Sequence, residues 1–504
     1  MRARRANRVL RLADERLGYA SVARKTMAKI FPDHWSFMLG EIALYSFMFL
    51  VATGIYLVLF FDPSSHLTTY DGSYAPMHGK EVSSAYASTV SISFDVRAGL
   101  LVRQAHHWAA HIFVGAIVLH LCRIFFTGMF RKPRELNWTV GVTLLILAIF
   151  NGFAGYSLPD DLLSGTGLHI FFSIAEGTPF IGDWLAFLVF GGNFPGDVII
   201  ERLYALHILI VPALIAILIT VHMAVLIRQK HSHFSGPGRS DANVVGSRMW
   251  PSYAIRSLSL MFFVSAVCVL LGGFAQINPI WVWGDFSSPQ ITAPSVADWY
   301  VGWIEGALRL FPPMEPHLLG FTIPNQFWAG VLLPLVTFAA LYLWPWIDRR
   351  LTHDYGTHHL TGRPRESPGR VAIGVAALTF YGVCLVAMSE ETLVQWTHAP
   401  VADIRNTLRV VVIVLPFVTG FIAHRIARAL RDSGAGGLLL LSKADWRRAR
   451  EVRRAGKAPP IPPSEPPTEE ESPEAPAPGE PLDEEGRPLT ESPAWVHPGG
   501  RIPE

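Results

Sequence analysis

Nearly uncharged stretches of about 20 residues recur eight times in the first 430 or so positions of this 504-residue chain: 35–61, 100–126, 138–158, 204–227, 253–276, 326–347, 371–388 and 410–430. Each is long enough to cross the hydrocarbon core of a bilayer, where no water can satisfy the backbone. Hydrogen bonding must therefore close within the segment, and helices are required. Half of the chain is hydrophobic and only 16% is charged, which belongs to a membrane protein and not to two or three soluble domains. The expected fold is an all-α integral membrane protein with eight transmembrane helices.

Net charge is only +2, so the position of the basic residues is informative and a nucleic-acid partner is not expected. They crowd the N-terminal segment 1–34 and alternate connections: Arg131, Lys132 and Arg134; Arg228, Lys230, Arg239 and Arg248; Arg349, Arg350, Arg363 and Arg365; and Arg425 onward. The opposite connections are nearly bare, with no Lys or Arg in 159–200 and Arg309 alone in 278–324. The positive-inside bias then makes both termini cytoplasmic in a bacterial cell membrane. The N-terminus carries no signal-peptide pattern. Cys122, Cys268 and Cys384 all fall in apolar stretches and make neither a disulfide framework nor a CxxCH haem-attachment site. In the outward connections, 162–174 and 299–310 read as short helices on the membrane surface. Beyond about residue 455 the chain turns to Pro, Glu, Ser and Ala, which cannot bury a core. The expected organisation is a basic segment 1–34, a four-helix part 35–230, a second four-helix part 231–431 and a disordered cytoplasmic tail 432–504, for which a docking role and a merely solvated one stay open.

Ionisable groups inside membrane helices are costly and usually mark function. The second stretch holds Arg103, His106, His107, His111, His120 and Arg123, and the fourth holds His207 and His222. From His106 to His120 is 14 residues, about 21 Å of rise, with both side chains within about 40° of one face. From His207 to His222 is 15 residues, about 22 Å and an offset of about 60°. On antiparallel helices that face each other, His106 meets His207 near the outer surface and His120 meets His222 near the inner one. A lone intramembrane histidine is more often a hydrogen-bonded helix contact. Four at matched depths favour axial ligation of two non-covalent haems b, stacked about 21 Å apart within a bundle of the first four helices. His107 and His111 find no partner at the same depth and read as packing or polar contacts.

Arg103 and Arg123 lie one turn beyond His106 and His120, placed for haem propionates, although snorkelling would explain either one alone. Gly40 and Gly54 in the first stretch are 14 residues apart, as are Gly141 and Gly155 in the third. A macrocycle wedged between helices needs missing side chains at its own depth, and the interval repeats that of the histidines.

RQAHHWAAHIFVGAIVLHLCR (103–123), the paired glycines, GYSLP (155–159), ERLYALHILIVPALIAILITVH (201–222) and ADWYVGWIEGALR (297–309) together resemble cytochrome b of the bc complexes over roughly 30–430. FFTGMFRKPRELNW and the long tail are similar to the actinobacterial branch. The resemblance implies a quinol–cytochrome c reductase subunit. Quinol, menaquinol in this branch, would be oxidised at an outer site. One electron would go to an iron–sulfur (Rieske-type) partner and the other through two haems to an inner quinone site. A dihaem cytochrome c subunit, cytochrome c oxidase in a supercomplex, surrounding lipid and a homodimer are implied with it. Asp298 is the expected acceptor of a quinol proton, its carboxyl tuned toward neutrality by desolvation, with Tyr300 and Tyr156 shaping the pocket. The family's Pro-Glu-Trp-Tyr stands here as Ala297-Asp298-Trp299-Tyr300, and its Pro-Trp-Gly-Gln as Pro159-Asp160-Asp161-Leu162. His231 and His233 are open between an inner quinone site and a basic loop, and His353, His358 and His359 read as loop. Two other readings are a haem-b anchor of another respiratory oxidoreductase, which would have fewer helices and no ADWY-type connection, and a proton-coupled transporter, of which an internal repeat is often the mark and none stands in this sequence.

Overall fold

The computed structural model describes residues 14–433, apart from 17, 197, 237, 290–296 and 319. Residues 1–13 and all but the first two residues of the Pro/Glu-rich tail lie outside the described residues. The helices that carry the architecture are, in chain order, α1 (Trp35–Val58), α2 (Ser84–Phe94), α3 (Gly99–Thr127), α4 (Glu135–Tyr156), α5 (Leu162–Glu176), α6 (Gly182–Phe190), α7 (Ile199–Gln229), α8 (Met249–Phe274), α9 (Trp299–Leu310), α10 (Asn325–Thr352), α11 (Pro368–Met388), α12 (Glu390–Thr397) and α13 (Val401–Asp432). Eight of them, α1, α3, α4, α7, α8, α10, α11 and α13, are long and apolar enough to cross a membrane. They coincide with the eight apolar stretches of the sequence. The two short outward helices expected from it are α5 and α9.

α3 packs on α1, α4 and α8, and α7 packs on α4, so α1, α3, α4 and α7 enclose one bundle. Its core holds Phe47, Phe113, Leu144, Val211 and Ile215, and Tyr300 reaches into it from α9. In the second half α11 packs along α13 and carries α9 on its flank. Side chains such as Phe263 and Phe417 point outward, which costs nothing in lipid; association must rest on close packing and on polar contacts between helices. Gly306 supplies one such contact, because a Cβ there would strike the Cys384 carbonyl of α11. Arg370 of α11 supplies another, gripping both carboxylate oxygens of Asp348 of α10 at 3.0 Å with both residues buried.

α7 is not a uniform α-helix. Residues Leu206–Ile210 form a π turn ahead of Pro212, which has no N–H to give to the carbonyl four residues back. A π turn absorbs one extra residue, so the 15 residues from His207 to His222 act as 14. The offset of about 60° expected for a regular helix falls to about the 40° of α3. Short strand pairs tie the connections at the end of the bundle opposite α9: Ile30–Phe31 lies antiparallel to Ser247–Arg248, and His233–Phe234 runs parallel to Leu360–Thr361.

Candidate functional site

The four histidines at matched intervals lie at two levels of the bundle. At one level the His106 and His207 rings are 6.1 Å apart, centroid to centroid, a gap that a metal bonded to one nitrogen of each ring would span at about 2 Å per bond. The Nδ1 of His106 is 2.9 Å from the Thr53 hydroxyl, and that of His207 is 2.9 Å from the Asn151 carbonyl, to which it donates as N–H. That bond leaves Nε2 of His207 free to ligate a metal, the orienting arrangement usual for metal-bound imidazole. At the other level lie His120 and His222, and His120 Nδ1 is buried with no partner.

Each histidine is matched by one glycine. A Cβ built on Gly54 would meet His106 at 3.4 Å, on Gly40 His120 at 3.2 Å, and on Gly141 His222 at 3.7 Å. On Gly155 it would press on both nitrogens of His207 at 2.8 Å. The repeated 14-residue spacing in α1 and α4 therefore serves the rings on α3 and α7. Each of the two arginines keeps a buried guanidinium nitrogen without a partner, Nε of Arg103 and Nη2 of Arg123. Arg103 otherwise touches the Asn278 carbonyl at 3.4 Å, and Arg123 the Ser36 hydroxyl at 3.1 Å. Imidazoles in facing pairs, absent Cβ atoms and two cations with spare donors are what two haems b would need.

Beside the first level sits a second cluster. Asp298 occupies the N-cap of α9, yet its side chain makes no cap hydrogen bond. A capping carboxylate is worth about 1 kcal/mol to a helix, so its oxygens are being used elsewhere. They lie 3.0 and 3.2 Å from His107 Nε2, and the Tyr300 hydroxyl donates to one of them at 2.6 Å. His111 Nε2 is 3.6 Å away. Burial opposes ionisation of Asp298, but His107, His111 and Tyr300 together outweigh it and hold the carboxyl below its usual range. That is opposite to the tuning expected from desolvation alone; His107 and His111, read from the sequence as plain polar contacts, are the reason. Burial, with the Asp298 charge beside it, keeps the Tyr300 phenol well above its usual value and hence protonated. The Tyr300 ring lies over Gly152, whose Cβ would sit 2.8 Å from it, a requirement not seen in the sequence. Tyr156 stands nearby, its ring 6.3 Å from His107 and its buried hydroxyl without a partner.

Asp160 and Asp161 lie on the connection after α4. Asp161 is fully buried and accepts from the Ser164 hydroxyl at 2.7 Å. Burial pushes Asp160 up to about 6. Of the opposite-end histidines, His231 is buried with its ring 4.5 Å from Phe31, and burial with nearby Lys29 and Arg134 lowers it to about 4. His233 Nε2 is 3.1 Å from the Ser240 carbonyl. His358 pairs with Asp354 at 2.9 Å, and His359 lies 3.0 Å from Arg134.

A family model described as "Cytochrome b(N-terminal)/b6/petB" matches residues 111–285. The chain is 48% identical over 421 residues to the cytochrome bc1 complex cytochrome b subunit of Mycobacterium leprae, covering 83% of this chain and 76% of that protein. It is 44% identical over 428 residues to the cytochrome bc1 complex cytochrome b subunit of Streptomyces coelicolor, covering 84% and 78%. In fold it is similar to a chain of a solved hyperthermophilic respiratory Complex III, with a TM-score of 0.61 at 20% identity, over 83% of this chain and 99% of that one.

Proposed function

The chain belongs to the cytochrome b subunits of the cytochrome bc1 complex, and from that premise we propose that it oxidises quinol, menaquinol in this branch, at an outer site and reduces quinone at an inner one, within a proton-translocating quinol–cytochrome c reductase. The observation that carries the reading is the match of four histidines to four glycines at two levels of one bundle. His106 with His207, and His120 with His222, hold two non-covalent haems b. Thr53 and the Asn151 carbonyl fix the outer pair of rings, and the spare nitrogens of Arg103 and Arg123 take propionates. When bound, the two haems supply one-electron relays between the two sides of the membrane.

At the outer site Asp298 accepts a proton from the quinol hydroxyl. It is ionised at rest because of its imidazole neighbours, so it is ready to receive that proton. Tyr300 orients the carboxylate through its 2.6 Å hydrogen bond, and Tyr156 presents an unpaired hydroxyl to the same pocket. A Rieske-type iron–sulfur subunit takes the first electron and hands it to a cytochrome c subunit, with cytochrome c oxidase downstream in a supercomplex. The basic connections put both termini in the cytoplasm, and the working form is a lipid-embedded homodimer.

Haem stoichiometry with an optical difference spectrum tests the reading. Acid–organic extraction should release two haems b per chain and leave none attached, and His222→Ala should lose one of them while keeping the other. One haem per wild-type chain, or haem that resists extraction, would rule it out.

A further inference from the structure

The connection after α4 turns back against the connection that leads into α9. The Leu162 N–H donates to the Gly284 carbonyl at 3.0 Å, and the Phe286 N–H to the Asp160 carbonyl at 2.9 Å. This pairing sets Asp161 opposite Asp285. Asp160 and Asp285, with Ser65 and Ser83, line a cavity of about 200 Å³, room enough for several waters. It lies on the side that the charge bias makes outward, since both connections are nearly bare of Lys and Arg. Behind its wall Asp161 is fully buried and accepts from the Ser164 hydroxyl at 2.7 Å and the Leu163 N–H at 3.2 Å. The charged or titratable groups turned toward it from the surrounding helices are Arg103 of α3, Tyr86 of α2 and Tyr156 of α4. Tyr156 is the link to the quinol pocket. The charges of Asp161 and Asp298 both act on it, and its buried hydroxyl is engaged by no group of the protein. The carboxyls themselves are graded. Against burial, His107, His111 and Tyr300 hold Asp298 below its usual range. Burial holds Asp161 above that range, against its hydrogen bonds to Ser164 and Leu163, and lifts Asp160 to about 6.

We propose that quinol protons leave the outer site through this cavity, passing from Asp298 by way of Tyr156 to Asp161, and from there to Asp160 and Asp285. The route begins at Asp298 and so rests on the outer-site role given to it above. Only protons move along it. Tyr156 takes one on its hydroxyl oxygen from the Asp298 side and gives its own to the Asp161 carboxylate, so the phenol ends neutral. Asp161 passes that proton to Asp160 or Asp285 and is ionised again, and the cavity wall yields it to water outside. Asp298, held low, gives up a proton more readily than Asp161, held high, and a carboxyl near 6 releases it at neutral pH. Chains of carboxyl groups are what proton relays in membrane proteins are commonly built from.

Two variants interrupt the route: Asp161→Asn, which keeps the shape of the side chain and its acceptor oxygen, and the cavity-wall pair Asp160→Asn with Asp285→Asn. Each is purified as the whole complex beside wild type and Asp298→Asn, and quinol–cytochrome c turnover is measured with haem content on the same samples. Both should keep two haems and the quinol KM and lower kcat by about tenfold or more, short of the 10²–10⁴-fold of a lost proton acceptor. Sodium formate, small enough for the cavity, should restore most of the lost rate to the cavity-wall variant when compared with sodium chloride at equal ionic strength, because a mobile carboxylate stands in for the missing carriers. A packing defect would not respond to it. Wild-type kcat in either variant, or a loss in the cavity-wall variant that formate does not restore, would overturn the route. Loss and rescue there, beside wild-type turnover in Asp298→Asn, would uphold the route from Tyr156 outward and overturn the role of Asp298 at its head.

Discussion

Substituting the four glycines one at a time by alanine gives a graded test of the haem sites, because each Cβ meets its histidine at a different distance. On Gly155 the added carbon would lie 2.8 Å from both nitrogens of His207, well inside contact distance, on a ring also held by the Asn151 carbonyl. Forcing a methyl group into a packed site costs about 1–3 kcal/mol, and a ring pinned on its other side belongs at the upper end. About 3 kcal/mol corresponds to a loss of roughly 150-fold in retention of the outer haem. On Gly141 the Cβ would meet His222 at 3.7 Å, an ordinary contact, so no clash is added and the helix gains up to about 1 kcal/mol in propensity. Gly40 and Gly54, at 3.2 and 3.4 Å, fall between. The assay is the reduced-minus-oxidised spectrum of each purified variant, resolved into its two haem components, with haem per chain measured on the same sample. Gly155→Ala should lose the outer component, Gly141→Ala should keep the inner one, and Gly40→Ala should weaken the inner haem less than Gly155→Ala weakens the outer. Equal loss in Gly141→Ala and Gly155→Ala would refute the ranking and show that the glycines make room for something other than the histidine rings.

Asp298→Asn should keep both haem spectra yet slow quinol oxidation by about 10²–10⁴-fold in steady-state turnover, whereas Asp298→Glu should retain substantial activity; wild-type turnover in the Asn variant would pass the proton role to Asp160 or Asp161. Arg370→Leu strands the buried Asp348 carboxylate between α10 and α11, which should cost about 3–5 kcal/mol and lower the thermal midpoint of the purified protein without altering its haem spectrum. Burial raises Asp160 to about 6, so the folded state holds that proton more tightly than the unfolded chain; the stability this gives is complete below pH 4 and is lost as pH rises through 6. Asp160→Asn, which also suits the positive φ of 54° there, should therefore raise the thermal midpoint at pH 7.5 and leave it nearly unchanged at pH 4. Truncation after Lys457 should leave haem content and membrane insertion intact, as measured on washed membranes, because no apolar span lies beyond it.

The spans were legible because the bilayer imposes a length and a polarity that show in composition alone. Their ends were less so. α13 begins at Val401, nine residues before the stretch read from the sequence, because Arg405 and Arg409 at its start are accommodated by Glu390 and by the Leu310 carbonyl. A hydropathy window stops at such charges, while the folded chain pairs them. The histidine and glycine intervals were legible because helix rise turns sequence distance into depth. The π turn in α7 was not, since its mark is Pro212, a residue tolerated in membrane helices for several reasons. The partner of His107 and His111 is not on the fourth helix, where equal depth would reveal it. Asp298 is 191 residues from His107 and arrives on α9, from the other half of the chain, a proximity no periodicity encodes. Gly152 was missed for the same reason, as it is small to admit Tyr300 from α9.

That long-range contact explains why the two halves need each other. His106 and His107 are consecutive on α3, so their side chains diverge by about 100° around the helix. One faces His207 inside the first bundle, while the other meets a carboxylate carried by the second half. α9 is held to that half at several points: Gly306 lies against Cys384, and Arg309 bonds Glu305 on its own helix at 2.7 Å and Glu391 of α12 at 2.6 Å. Glu305 in turn accepts from the Ala297 N–H at 3.2 Å, one residue before Asp298, so the clamp reaches the proposed proton acceptor through the backbone. In the proposed reaction a quinol must lose an electron and a proton at nearly the same place. One turn of α3 brings the two acceptors together, with the electron side built by α3 and α7 and the proton side delivered by α9. A change that loosens the Arg309 clamp should therefore slow quinol oxidation while sparing both haems, because the four histidines proposed as ligands belong wholly to the first half.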